Sequence, residues 1–498
     1  MLFNSYNFLV FFPIVTLVYF LIPHKIRYIW LLIASYFFYM CWNVKYALIL
    51  LFSTTVTYLS GLFIFKAESS IKNEKKKTRV KKLHVALSFF INLSILFVFK
   101  YFDFAIQNIN TILEKWNMQI IETSFSVILP VGISFYIFQA LSYTMDVYRN
   151  EIKPEKNFLK YALFVSFFPQ LVAGPIERSK NLIEQISEKH YFDGQRVKDG
   201  LLLMIWGGFQ KIVIADRVAI VVDTIFNNFP EYQGMYLIVG AVLFAFQIYC
   251  DFAGYSMIAI GSAKVMGFRL MENFNSPYMA MSVSEFWRRW HISLSSWFRD
   301  YLYIPLGGNR KGKVRKYINL MVVFLVSGLW HGAQWSFVVW GGLNGLFQII
   351  GTLLKKPRDF LVEKLHLNRD SASHQLYKVL ATFALIDFTW IFFRADRLKT
   401  ALSMIKSIFT TYNAWILFDE SLFNLGLDRK EFQLMMISII ILMIADFIKW
   451  KGYSVREWVY KQEGWFRWLF YIGCILAVLV FGIWGPAFSE SAFIYFQF

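Results

Sequence analysis

The sequence predicts an all-α integral membrane protein, a polytopic bundle of about 10–13 transmembrane helices with re-entrant and interfacial pieces. It is read as one membrane domain over 1–498. Three observations predict this class. Only 17% of the residues are charged and 57% are hydrophobic, whereas a soluble domain carries roughly 25% charged residues. Met1–Pro23, Tyr46–Phe65 and Trp468–Ser489 hold no charge at all, and each is near the ~20 residues a helix needs to cross a bilayer. These runs are solidly apolar, without the alternation of a barrel strand, so buried backbone groups must be satisfied within helices.

Taken in order, apolar segments lie near 7–22, 28–42, 45–65, 85–100, 125–143, 157–172, 199–216, 236–262, 317–331, 333–354, 377–393, 433–449 and 467–485. The first lacks a preceding basic region and a small-residue cleavage site, so it reads as a membrane segment, not a removed signal. Lys66–Lys82 reads as a short, strongly basic loop, and Arg310–Lys316 is a second basic cluster. Both are expected on the cytoplasmic side. The polar stretches 174–198 and 355–375 read as loops. No internal repeat stands out, which argues against a transporter built from inverted repeats.

The net charge of +18 sits mostly in short loops between apolar runs, where the positive-inside rule accounts for it. Some of it can meet anionic headgroups or phosphate-bearing substrates. No nucleic-acid-binding module is present. Cys41, Cys250 and Cys474 lie in apolar runs without Cys-x-x-Cys spacing. They are expected to be buried small hydrophobes, with no disulfide framework or zinc site.

The chemistry is expected in Glu285–Asn344, where His291 and His331 stand 40 residues apart. His331 ends an uncharged run, Ile318–Trp330. A titratable group in hydrocarbon is costly unless it is used or paired. If a helix starts near Tyr317 at the cytoplasmic face, His331 lies about 21 Å along it, past the middle of a ~30 Å hydrocarbon layer. Around His291, the residues Phe286, Trp290, Leu294, Trp297 and Tyr301 recur at helical spacing among charges. An amphipathic helix lying on the membrane is expected there. Gly307–Val314 follows a phosphate-loop pattern except at Val314, which has no hydroxyl, and no strand precedes it. It is rejected as a nucleotide site, although Arg310, Lys311 and Lys313 can contact phosphate.

The two histidines lack local metal-ligand spacing, so no metal is expected. Imidazole titrates near neutrality and can take a proton from an attacking hydroxyl, which suits acyl transfer. Asp251 follows a long apolar run with Gln247 one turn earlier, and an in-membrane carboxylate needs a partner. Asp146, Glu177 and Asp387 read as packing or capping groups.

These residues carry a family resemblance. Glu285-Phe-Trp-Arg-Arg-Trp-His291-Ile-Ser-Leu, Trp297–Arg310 and Ser327-Gly-Leu-Trp-His331-Gly resemble the membrane-bound O-acyltransferases. So do Leu129–Gln139, Phe168–Ile176, Tyr249–Ser256 and the terminal Phe493–Phe498. The resemblance covers essentially the whole chain and is closest to the bacterial branch that O-acetylates alginate. It implies a ring of helices around a thinned centre with a tunnel to the histidine. His331 would be the catalytic histidine, and His291 the second site position, which is Asn or His across the family.

No bound cofactor is implied. The acyl group would come from acetyl-coenzyme A or an acyl carrier protein. It would pass to a polysaccharide hydroxyl, directly or through an extracytoplasmic relay protein, from a multi-pass protein of the bacterial cytoplasmic membrane. Arg288, Arg289, Trp330, Asp251 and Asn344 are expected to contact donor or substrate. Two other readings stay open: D-alanyl transfer from a carrier protein to teichoic acid, and a non-catalytic membrane transporter.

Overall fold

A computed structural model describes residues 1–122, 129–172 and 174–484. The terminal Phe493–Phe498 motif and residues 125–128 of the fifth apolar segment lie outside them. Among the described residues the regular structure is helical throughout, with no strand. Among the described residues, seven helices are long and apolar enough to cross a membrane. Several of the other expected apolar segments form shorter helices, as at Tyr6–Leu21. The chain forms two compact units, 1–204 with 256–271, and 205–255 with 272–498.

The elements of the first unit are α1 (Tyr6–Leu21), α2 (His24–Met40), α3 (Val44–Ser70), α4 (Glu74–Leu96), α5 (Phe102–Lys115), α6 (Ile133–Tyr148), α7 (Phe158–Ser166), α8 (Phe168–Leu171), α9 (Ser179–Ser187) and the start of α10 (Gly194–Gly208). Small polar side chains join these helices where apolar ones would hold them apart. Ser53 of α3 donates to Asn92 of α4 at 2.5 Å, with Asn92 anchored on the Ser88 carbonyl of its own helix at 2.9 Å, and Tyr161 of α7 donates to Thr57 of α3 at 2.7 Å. Two glutamines from separate motifs, Gln139 and Gln170, both donate to the Phe164 carbonyl, at 2.7 and 2.8 Å. Asp146 accepts from Ser179 at 2.7 Å, and Glu177 accepts from Asn181 at 2.7 Å, so both carboxylates hold turns in place.

The basic stretch 66–82 is not a loop. α3 runs to Ser70, and α4 restarts at Glu74 behind the Asn73 cap, whose side chain accepts from Lys76 N. Lysine and arginine are good helix formers, and here they pair: Lys81 with Glu68 at 2.5 Å and Lys77 with Glu74 at 2.7 Å. The stretch 174–198 likewise contains α9 and the start of α10. Cys41 is exposed, unlike the buried Cys250.

The second unit continues with α11 (Asp216–Asn227), α12 (Met235–Met266, of which 256–266 belong to the first unit), α13 (Val283–Arg289), α14 (Ile292–Phe298), α15 (Lys313–His331), α16 (Trp335–Leu353), α17 (Lys355–Lys364), α18 (Ala372–Arg394), α19 (Leu398–Thr410), α20 (Arg429–Trp450), α21 (Val455–Tyr460) and α22 (Gly464–Phe481). The stretch 355–375 therefore holds α17 and the start of α18. On α20 and α22, Ile437, Ile440, Ile441, Ile444, Leu476 and Leu479 are exposed. An apolar face of that extent fits contact with hydrocarbon, not water.

α15 begins at Lys313, four residues before Tyr317, so His331 lies about 27 Å along its axis. The helix turns back into α16 through a close glycine contact. A Cβ on Gly341 would lie 2.2 Å from the Phe324 carbonyl oxygen and 3.2 Å from the Gly328 Cα. Replacing Gly341 with Val must drive α15 and α16 apart. The expected loss is about 1–3 kcal/mol or more, read as a lower melting temperature of the detergent-purified protein.

Candidate active site

α13 starts where Ser282 accepts from Glu285 N at 3.2 Å and Glu285 Oε2 accepts from Met281 N at 2.9 Å. This Ser-x-x-Glu arrangement satisfies donors at the helix start. The expected single amphipathic helix does not continue. Trp290 is extended, and His291 stands in the left-handed region at φ 44°, ψ 55°. The segment 273–275 takes the backbone groups released by the break. Asn275 N donates to the Arg289 carbonyl and Ile292 N to the Asn273 carbonyl, both at 2.9 Å. Phe286, Trp290, Leu294 and Trp297 are all buried, so this is a packed core and not a surface stripe.

His291 is 1% exposed. Its Nδ1 lies 3.1 Å from Asn273 Oδ1, which also accepts from Ser293 Oγ at 2.9 Å and Ser293 N at 3.3 Å. A backbone N–H can only donate, so the Asn273 atom is the acceptor oxygen. His291 therefore donates from Nδ1 and presents a lone pair at Nε2. Residue 291 lies outside the candidate spans, and burial pushes its imidazole down to about 3. It is neutral at physiological pH.

His331 is the last residue of α15 and is 3% exposed. Three aromatic rings surround it edge to face: Trp330, Trp340 and Phe393, with centroids at 4.9, 5.0 and 5.5 Å. Gly332 follows because a Cβ there would lie 2.1 Å from the Phe337 ring. The Trp330 indole meets both imidazoles, with its centroid 6.1 Å from that of His291. The fold thus brings the two histidines to one tryptophan despite their separation in sequence.

The other expected site residues divide. Arg289 is held by Glu285 at 2.9 Å and donates to the Asn275 carbonyl at 3.1 Å, whereas Arg288 is exposed. Asn344 is fully buried. It accepts from Trp287 Nε1 at 3.2 Å and donates to the Trp340 carbonyl at 2.9 Å and to Thr389 Oγ1 at 3.2 Å. It ties α13, α16 and α18 together beside the histidines.

Asp251 has the partner its setting demands. Lys211 Nζ lies 2.6 Å from Asp251 and 2.7 Å from Asp216, and all three side chains are largely buried. The buried ammonium thus sits between two carboxylates, the compensation a desolvated charge requires. The next residue, Phe252, places its ring 4.6 Å from that of His291. Sequence reasoning missed both Lys211 and Asn273. A lysine inside the apolar run 199–216 was the available signal for the first, and the polar Asn273-Phe-Asn275 ahead of Ser-Pro for the second.

Comparison with known proteins bears on this geometry. The model of the membrane-bound O-acyltransferase family matches residues 147–394, which hold both histidines and Asn273. The chain is 38% identical over 413 residues to the probable alginate O-acetylase of Pseudomonas putida, covering 82% of this chain and 80% of that protein. It is 36% identical over 406 residues to the peptidoglycan O-acetyltransferase of Helicobacter pylori, covering 76% and 73%. The teichoic acid D-alanyltransferase of Streptococcus thermophilus is more distant, at 28% over 330 residues, covering 57% and 74%.

Replacing Lys211 with Met leaves two buried carboxylates without their shared cation. This should destabilise the protein by about 3–5 kcal/mol. Removing the carboxylates as well, with Asp216→Asn and Asp251→Asn, should recover part of that loss in thermal denaturation.

Proposed function

Because this chain belongs to the membrane-bound O-acyltransferase family, we propose that it transfers acetyl from a cytoplasmic thioester donor to O-acetylate an extracytoplasmic polysaccharide. Its relatives at 36–38% identity are named for O-acetylation of alginate and of peptidoglycan. The D-alanyl transfer enzymes stand further off at 28%. The donor is acetyl-coenzyme A or an acyl carrier protein. The acceptor hydroxyl belongs to the glycan or to a relay protein outside the bacterial cytoplasmic membrane.

The observation that carries the site assignment is the meeting of His291 and His331 on one buried indole. His331 is the general base. It takes the proton from the attacking hydroxyl, and the carbonyl ends of the last turn of α15 favour the imidazolium that forms. The surrounding rings of Trp330, Trp340 and Phe393 exclude water, so the hydroxyl is the proton source. His291, neutral and fixed in one tautomer, orients the reacting groups through Nε2. The exposed Arg288 meets donor phosphates, while Arg289 is committed to Glu285.

Purified protein incubated with labelled acetyl-coenzyme A tests this reading. His331→Ala should remain in the membrane and lose transfer on the order of 10²- to 10⁴-fold. Full activity in that variant would defeat the assignment. Mass analysis of the modified polymer distinguishes acetyl from D-alanyl. Arg288→Ala should raise the KM for acetyl-coenzyme A several-fold at low salt and leave kcat unchanged, with the difference shrinking as salt is added.

A further inference from the structure

Asn273 is 1% exposed, and its amide is used on one side only. Oδ1 accepts from Ser293 N, Ser293 Oγ and the imidazole of His291. Among the described residues, nothing accepts from Nδ2. A buried amide that leaves both hydrogens unspent bears a desolvation cost of about 1–3 kcal/mol. Such groups are satisfied in nearly all native interiors, and an exception calls for an explanation. Asn273 could have been paired fully, as Asn344 is in the same unit.

The position of those hydrogens is informative. Nδ2 and Oδ1 belong to one planar amide, and Oδ1 is 3.1 Å from His291 Nδ1. The unspent donors therefore lie beside the second histidine of the site. They suit an atom that only accepts, such as a carbonyl oxygen. We infer that Asn273 serves the reaction with both ends of its amide: Oδ1 fixes the His291 tautomer, and Nδ2 donates to the carbonyl oxygen of the acyl group.

This rests on the acyl-transfer reading above and adds a catalytic residue to it. In the addition step the acceptor hydroxyl oxygen bonds to the carbonyl carbon, and its proton passes to the imidazole of the general base. The carbonyl π pair moves onto oxygen, where the Asn273 amide stabilises the new charge. In the collapse step that pair re-forms the carbonyl, the carbon–sulfur bond breaks, and the leaving thiolate takes the proton. A single preorganised donor to such an oxyanion contributes on the order of 10²- to 10³-fold in kcat.

Two variants separate the roles of the amide. Asn273→Asp keeps the acceptor oxygen and removes the donors, whereas Asn273→Ala removes both. Each should lower kcat on the order of 10²-fold at a near-normal KM. The aspartate should also shift the acid limb of the pH profile upward, since a carboxylate beside His291 favours its charged form. Near-wild-type kcat in Asn273→Asp would reduce Asn273 to a positioning residue and overturn the donor role.

A binding measurement covers the case in which these variants are inactive through misplacement of His291. The wild type should prefer S-acetonyl-coenzyme A, which has a carbonyl, over S-isobutyl-coenzyme A, which lacks it, by about tenfold. Both variants should lose that preference. An equal preference in variants and wild type would overturn the inference and leave the role of His331 intact. If the wild type binds neither analogue, the coenzyme A donor reading falls, and the kcat of Asn273→Asp alone decides the donor role.

Discussion

The contact between α15 and α16 is the constraint on which the site depends. Gly328 and Gly341 let the two backbones touch, and without that approach Trp340 could not stand 5.0 Å from His331. In a bilayer no hydrophobic drive pushes two apolar helices together, because lipid is as apolar as leucine. Close backbone packing supplies the attraction instead. The same contact carries Trp340 onto Trp390 at 5.8 Å, and Trp390 onto Trp290 at 5.2 Å. A run of indoles thus links the end of α15 to the break ahead of His291.

That break shows a second kind of control. The spacing of Phe286, Trp290, Leu294, Trp297 and Tyr301 favours one helix across 286–301. Tertiary hydrogen bonds from 273–275 prevail, because they satisfy the backbone and deliver Asn273 to the imidazole in one arrangement. The ties at Asn273 are buried, where water cannot replace them. Lys211, Asp216 and Asp251 brace α12 in the same way, next to the phenyl ring that supports His291.

The helical membrane class was legible from uncharged runs, since length and apolarity alone require it. The two histidines were legible from their motifs, and Asp251 from the rule that an in-membrane carboxylate needs a partner. The partner itself was not legible, because Lys211 is 40 residues away and only folding brings it near. The basic run 66–82 misled because its charges suggest a loop, although lysine continues a helix readily when a glutamate lies within reach. Asn273 was not legible, because the run Asn273-Phe-Asn275 ahead of Ser276-Pro277 fits turn chemistry. Its use emerges only from which of its atoms have partners.

The backbone at residue 291 has a consequence for what can occupy the position. A left-handed φ excludes β-branched and bulky side chains, and among non-glycine residues it favours Asn, Asp and His. Asp would place a formal charge among Phe252, Phe274 and Trp330, which is costly. The residues left that are polar, neutral and tolerant of this torsion are Asn and His, the two that the family resemblance implies at this position. Backbone shape, ahead of any demand of the chemistry, narrows the side chains that selection can sample there.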